Sequence, residues 1–420
     1  YFNIGINGST LAKTFGQVGT DGFSWEDGGT VELNGETKLE LQDTSGFFAK
    51  LDAIVLTKDL SFTPPASYAQ LLKKAPLLKD YTTKLEKENM MTDFSLDKNY
   101  PGGNYLLKNK ENNTVSISTD RSDTSRDSWF YWNFKATSET ERTVTFKLSG
   151  CDQVLSASGA AYSLDNGKNW DYLTESAYKR EFTYSFKAGQ TVWFAVTVPY
   201  QLSNLKTYLN TLSAYDRAEV SVLCTSEGGR EVPLIRVGCK TAPKAVVFTS
   251  RHHCCEATPS YMLEGLVDYL CSKTGMPDSI FDTYCFYVIP MVDIDGVENG
   301  DQGKDRIPHD HNRDYDEGLY APIRAIKALA ETLDIPFFMD LHCPMLQTDK
   351  PYLYYHEDDA ETISAFSDLL VQQTANSESE NPILFLGTTN FKDSNYTSCA
   401  KGYFYNIAGA PFSTTLEFPY

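Results

Sequence analysis

The chain reads as an α/β domain, with a mixed, mostly parallel sheet and helices on both faces, preceded by an antiparallel β-sandwich and a shorter β segment. Three observations predict this order. From about residue 233, continuous apolar runs such as Ala245-Val246-Val247-Phe248-Thr249 alternate with longer segments of helical period. Uninterrupted apolar strands belong in sheets covered on both sides. Between about 91 and 232 the apolar runs are short and divided by Gly and Asn turns, the rhythm of an antiparallel sandwich. Ahead of residue 58, Val31-Glu32-Leu33 and Lys38-Leu39-Glu40-Leu41 flank Asn34-Gly35, a strong hairpin signal.

Taken in order, residues 1–58 form the first β segment. Residues 59–90 read as a helical connector, because Tyr68, Leu71, Leu72, Leu77 and Leu78 recur at helical spacing among Lys and Glu after Pro64-Pro65. Residues 91–232 hold the sandwich, with strands expected around Thr114–Ser118, Trp129–Phe134, Thr143–Leu148 and Thr191–Val198. Residues 233–420 form the α/β domain. Its strands are expected at 245–249, 284–292 and 336–342, and its helices at 261–273, about 319–333 and about 359–373.

Bulk properties exclude some roles. A net charge of -19 from 56 acidic and 37 basic residues disfavours a phosphate backbone as partner. No apolar run of about twenty residues is present to span a membrane as a helix. The nine Cys are too few and too scattered for a disulfide framework, and most fall in apolar segments. They are expected to be mainly free buried thiols, a weak pointer to a reducing or oxygen-poor setting. Compartment stays open, with a periplasmic or secreted bacterial location favoured over a cytoplasmic one. The start, Tyr1-Phe2-Asn3-Ile4, lacks a Met and a leader pattern, so a mature or trimmed chain is expected.

The chemistry centres on Ser250-Arg251-His252-His253-Cys254-Cys255-Glu256, where a predicted strand hands over to a helix. His253 and Glu256 are spaced to meet one metal ion. Such a pair alone occurs readily by chance, but five of the six His lie between positions 252 and 342. His342 closes the strand Ile335–His342, at the carboxyl edge where ligands of α/β sheets gather. Taken alone it is better explained as a satisfied core histidine. His, Glu and His with an open position is the donor set of catalytic zinc.

Two further pieces follow in order, His309-Asp310-His311-Asn312-Arg313-Asp314-Tyr315 and the late β run Ser413-Thr414-Thr415-Leu416-Glu417-Phe418. Together the four resemble the zinc carboxypeptidase family, the funnel-shaped α/β metallopeptidases. The resemblance implies one zinc ion held by His253, Glu256 and His342. It implies Asn312 and Arg313 as the pair that holds a substrate's terminal carboxylate, where a planar fork suits a planar anion. Arg306 is implied as the cation that polarises the scissile carbonyl, with Lys304 as the fallback. Glu417 is implied as general base, Asp310 as the carboxylate behind the first zinc His, and Tyr396 as the tyrosine that closes over substrate, with Tyr403 and Tyr405 competing. The chain departs from the family in carrying Cys254-Cys255 between the motif's His and Glu, where relatives have small residues such as Pro-Gly; small buried residues are the expected role. It also stops three residues after Glu417, where relatives usually continue.

Residues 91–232 are similar to the β-sandwich that precedes the catalytic domain in the cytosolic carboxypeptidase branch, through Asp120–Thr124 before Trp129-Phe130-Tyr131, Tyr162–Trp170 and Phe194–Tyr200. The first segment resembles the last strands of carbohydrate-binding-like jelly rolls, so a partial jelly roll is expected, with a possible glycan contact. Its Trp25 and Phe23 are expected to fill a core. The function implied is a zinc metallocarboxypeptidase acting on a peptide or small amide with a free carboxylate. Alternatives are a zinc amidase or esterase on a cell-wall peptide or small acylated amine, and a non-catalytic carbohydrate- or peptide-binding protein.

Overall fold

The structure is a computed structural model. It describes residues 2–16, 25–33 and 37–43, single positions up to 63, and residues 91–420 apart from 127–128, 151–153, 273–275, 344–349, 356–359, 376–386 and 393–396. The chain divides into two compact units, Tyr1–Leu85 and Glu86–Tyr420.

The first unit contains a three-stranded antiparallel sheet. Phe2–Ile6 is its centre, flanked by Ser9–Phe15 and Leu39–Asp43, and Phe2, Ile4 and Phe15 form a small core. The expected hairpin across Asn34-Gly35 is corrected. Residues 28–33 are not a strand, and Leu39–Asp43 pairs with Phe2–Ile6 instead; the turn itself lies outside the described residues. Trp25 is 41 % exposed rather than packed in a core, Phe23 lies outside the described residues, and nothing described in this unit supports a glycan contact. Apart from positions 61 and 63, the expected connector over 59–90 also falls outside them.

The second unit opens with two facing sheets of five and four strands. Their inward aromatics interlock. Phe146 of one sheet lies 5.4 Å from Phe134 and 5.2 Å from Phe194 of the other, and Trp132 is fully buried beside them. Side chains alternate along each strand, so every second residue joins this shared core.

An eight-stranded mixed sheet follows, in the order Ala218–Thr225, Glu231–Val237, Tyr284–Ile289, Lys244–Ser250, Phe337–His342, Phe412–Glu417, Tyr352–Tyr355, Gly387–Lys392. The four strands from Tyr284–Ile289 to Phe412–Glu417 run parallel. A boundary at 232 cuts the strand Glu231–Val237, which hydrogen-bonds into this sheet together with Ala218–Thr225. Those two strands are antiparallel and Ala218–Thr225 is a largely exposed edge. Their sequence therefore carries the alternation of a sandwich rather than the continuous apolar run of the parallel centre.

Both faces of the centre are covered. Val246, Phe248, Phe286, Val288, Met339 and Leu341 share a core with the helix Thr258–Cys271. The alternate residues Ala245, Val247, Tyr287, Ile289 and Phe338 pack with the helices Ala321–Ala330 and Ala400–Asn406.

A long connection after Tyr284–Ile289 crosses the carboxyl edge of this sheet and is gripped by the preceding two-sheet region. The Gln302 side chain accepts from Tyr131 N at 2.8 Å and donates to Asp120 O and Tyr131 O, both at 2.9 Å. Asp123 accepts from Gln302 N and Gly303 N at 3.1 and 2.9 Å. Gly303 is required here. Its φ is +78°, and a Cβ would sit 2.6 Å from Cys254 N, a clash with backbone that cannot move aside. Gly303→Ala is expected to destabilise the protein by about 1–3 kcal/mol in denaturant unfolding; an unchanged midpoint would show that the close approach is absent.

Candidate metal centre

The parallel centre delivers three chain ends to one place. His253 and Glu256 follow the end of Lys244–Ser250, His342 is the last residue of Phe337–His342, and Glu417 is the last of Phe412–Glu417 and its register partner. Arg251 makes the turn. It holds φ +63°, and its buried guanidinium donates to Cys254 O, to Tyr200 O at 2.9 Å and to Ser260 Oγ at 3.0 Å. Such a conformation in a non-glycine residue needs this external support. It sends the adjacent imidazoles to different carboxylates, His252 to Asp340 and His253 to Glu256.

Glu256, 1 % exposed, is the hub. Its Oε1 lies 2.9 Å from His253 Nδ1 and its Oε2 2.8 Å from His342 Nδ1, and the two Nδ1 atoms are 3.1 Å apart. Oε2 also accepts from Cys343 N at 3.0 Å. Each ring turns its Nε2 toward another carboxylate: His253 toward Asp310 Oδ2 at 3.4 Å, His342 toward Asp340 Oδ2 at 2.5 Å. Each ring therefore faces a carboxylate at both nitrogens, and an ionised carboxylate can only accept; a cation bound among Glu256 and the two Nδ1 atoms would leave the ring protons on Nε2. With the protons so placed, two Nδ1 lone pairs and a carboxylate converge in a buried site. Acceptors so arranged repel unless a cation lies among them, and this donor set suits zinc. Ligand atoms of His253, Glu256 and His342 all lie within 4.8 Å of one another.

Opposite charges around the hub stabilise one another. Burial alone would raise Glu256, but Lys304 and the two imidazoles outweigh it and hold the carboxyl well below its usual range. Glu417 behaves oppositely. Burial dominates and, with Glu256 near by, pushes it up to about 7 despite His342 and Lys304. Its Oε2 has no hydrogen-bond partner among the described residues.

Arg306 does not reach this hub, which corrects its assignment as the carbonyl-polarising cation. Its guanidinium is held by Asp293 and by Asp301, the latter at 2.7 Å, and it forms a bridge to Thr124 of the two-sheet region. The cation in the site is Lys304. Its Nζ lies 2.7 Å from Glu256 Oε1 and donates to Cys343 O at 3.0 Å, and Trp129 and Phe130 have ring centroids 5.1 and 6.0 Å away. Although burial opposes it, Glu256 raises the Lys304 pKa and keeps the ammonium charged.

Asp310 Oδ1 accepts from Asn312 N at 2.7 Å and its Oδ2 from Asp305 N at 2.8 Å, fixing the carboxylate behind His253. Asn312 is buried; its Oδ1 accepts from Ala400 N at 2.9 Å and its Nδ2 lies 3.0 Å from His342 Nε2. Arg313 is exposed, donates to Asn312 O at 2.7 Å, and has no carboxylate partner among the described residues. Tyr396 lies outside the described residues. Cys254 and Cys255 are buried free thiols, and no disulfide is present among the described residues. Asp340 and His252 were not singled out as site residues from the sequence. The period of two along a strand puts Asp340 on the same face as His342, a signal that was available.

Residues 205–321 match the family model described as zinc carboxypeptidase. Among curated proteins it is similar to cytosolic carboxypeptidase 6 of Caenorhabditis elegans, 26 % identical over 246 residues that cover 51 % of this chain and 54 % of that protein. It is also similar to cytosolic carboxypeptidase 2 of Danio rerio, 32 % identical over 148 residues, 32 % of this chain and 20 % of that one. The chain therefore spans about half or less of these relatives. In fold it is similar to a metallo-carboxypeptidase from Burkholderia cenocepacia, TM-score 0.63 and 17 % identity over 78 % of this chain and 90 % of that one. A metallo-carboxypeptidase from Pseudomonas aeruginosa, in complex with (2-guanidinoethylmercapto)succinic acid, gives TM-score 0.62 at 16 % identity over 77 % and 90 % of the two chains.

Glu256→Gln keeps the shape of the hub and removes its charge. Zinc affinity is expected to fall at least about tenfold, measured by chelator competition, because a neutral amide is a poor zinc donor; wild-type affinity would show that these three residues do not hold the ion.

Proposed function

We propose that this chain is a zinc-dependent carboxypeptidase that hydrolyses the C-terminal peptide bond of a substrate with a free carboxylate. The observation that carries the proposal is the convergence of His253 Nδ1, His342 Nδ1 and the Glu256 carboxylate beside an unpartnered Glu417 oxygen. His253, Glu256 and His342 would hold the ion. The chemistry zinc supplies when held there is Lewis acidity and a lowered pKa of water.

The other roles belong to the chain's own groups. Glu417, beside His342 in register, would take a proton from the attacking water and deliver it to the leaving amine nitrogen. Lys304 would sit near the scissile carbonyl oxygen and stabilise negative charge developing there, a role strengthened by its burial. Arg313, with Asn312 beside it, would take the terminal carboxylate. Arg313 is the exposed member of the pair, whereas Asn312 is buried and its amide oxygen already accepts from Ala400 N. In the same reading the two facing sheets are a β-sandwich whose Asp120, Asp123 and Tyr131 hold the strand-to-strand connection that carries Lys304.

Glu417→Gln is expected to keep zinc and lower kcat by about 10²-fold or more; turnover at the wild-type rate would remove Glu417 from the base role. Lys304→Met is expected to lower kcat and Lys304→Arg to recover part of it, while equal rates in all three proteins would show that this cation does not touch the transition state. A peptide and its C-terminal amide separate carboxypeptidase from general amidase activity. Loss of turnover on the amide supports the proposal, and equal rates would assign the site to internal or blocked amides.

A further inference from the structure

Behind His342, away from the hub, lies a second buried polar group that the chemistry above does not use. Asp340 is fully buried, and its Oδ1 accepts from Thr249 Oγ1 at 2.7 Å and lies 2.9 Å from His252 Nδ1, while its Oδ2 faces His342 Nε2 at 2.5 Å. His252 is fully buried as well. Its other nitrogen, Nε2, lies 2.9 Å from the hydroxyl of Tyr315, itself 1 % exposed. The rings of His252 and His342 lie nearly parallel with centroids 5.9 Å apart.

Only one arrangement of protons satisfies all these contacts with neutral rings. Tyr315 O–H donates to His252 Nε2, His252 Nδ1–H donates to Asp340 Oδ1, and His342 Nε2–H donates to Asp340 Oδ2. Each of these three donors then has an acceptor, and His342 Nδ1 is left as a lone pair facing Glu256 and His253, while Asn312 Nδ2, 3.0 Å from His342 Nε2, makes only a contact there. The far end of the chain is anchored too. Tyr315 follows the Asn312-Arg313 turn closely, its N donates to Ser398 O at 3.0 Å, and its ring packs 5.2 Å from Tyr403.

We propose that His252 and Tyr315 are positioning residues that fix Asp340, and through it the ring orientation and tautomer of His342, so that Nδ1 is presented to the metal. This rests on the metal reading of His253, Glu256 and His342. The rival is a second cation held by His252, Asp340 and His342, whose ligand atoms also cluster within 4.8 Å. The proton arrangement leaves that group no spare lone pair on His252 or on His342 Nε2. Carboxylate–histidine–metal chains of this kind change metal affinity by about 10–100-fold when a member is lost. Here the carboxylate is itself held by a further imidazole and phenol, which ties the metal ligand to the turn proposed to bind substrate.

The test is zinc affinity by competition with a chromophoric chelator, zinc stoichiometry, and the visible spectrum of the cobalt(II) form, on the full chain. His252→Phe is expected to weaken zinc by about 10–100-fold and to shift the cobalt bands. His252→Asn, whose amide N–H can replace Nδ1–H toward Asp340, is expected to return affinity to within several-fold of wild type at one ion per chain. Tyr315→Phe is expected to weaken zinc by several-fold, and it carries the test with the Asn variant if His252→Phe does not fold. Wild-type affinity and cobalt spectrum in His252→Phe, or in both conservative variants when that protein fails to fold, would overturn the proposal. Two ions in wild type falling to one in His252→Phe would replace it with a second metal site. A wild-type chain that binds no zinc would instead remove the metal reading beneath it.

Discussion

One electrostatic constraint organises this molecule: a carboxylate that is 1 % exposed shares a small space with two imidazole nitrogens. An isolated buried carboxylate costs several kcal/mol, and the two ring nitrogens facing it lie only 3.1 Å from each other. A bound cation resolves both. Lys304 contributes positive charge from one side, but a single ammonium meets only one of the Glu256 oxygens. The neighbouring carboxylates Asp310 and Asp340 hold protons on the far nitrogens of the rings, which keeps the near ones available.

The scaffold is arranged around that demand. Parallel strands bring residues distant in sequence to one edge, and in register, so that His342 and Glu417 are neighbours without either lying in a loop. Rigid strands position side chains more tightly than loops do. The cation is the exception. Lys304 lies on a connection, and its position depends on Gln302 and Gly303 being tied to Asp123, Asp120 and Tyr131. Arg306 serves the same connection from the other side, compensating Asp293 and Asp301. The two facing sheets are therefore part of how the site is built.

Much of this was visible in the residues. The continuous apolar runs at 245–249 and 336–342 announced buried parallel strands, and the structure places them at Lys244–Ser250 and Phe337–His342. His253, Glu256 and His342 could be picked out because each closes or follows such a run, and Glu417 through the family resemblance of the late run Ser413–Phe418. The edge strands misled, since Ala218–Thr225 and Glu231–Val237 alternate like a sandwich while belonging to the mixed sheet. Cations were harder still. Sequence distance does not say whether Lys304 or Arg306 turns inward, because that depends on a left-handed Gly303 and on which carboxylates the fold brings near. The chain His252, Asp340, Tyr315 joins three segments and has no local pattern beyond the two-residue spacing of Asp340 and His342.

The central claim is a single zinc ion held by two imidazoles and one carboxylate at the carboxyl edge of the sheet. X-ray absorption at the zinc edge on the loaded protein tests it most directly, because three thiols, Cys254, Cys255 and Cys343, are buried in the same neighbourhood. A first shell of nitrogen and oxygen at about 2.0–2.2 Å with the scattering pattern of two histidines is expected. A sulfur shell at about 2.3 Å would contradict it, placing the ion on the cysteines and leaving His253, Glu256 and His342 without the role assigned to them.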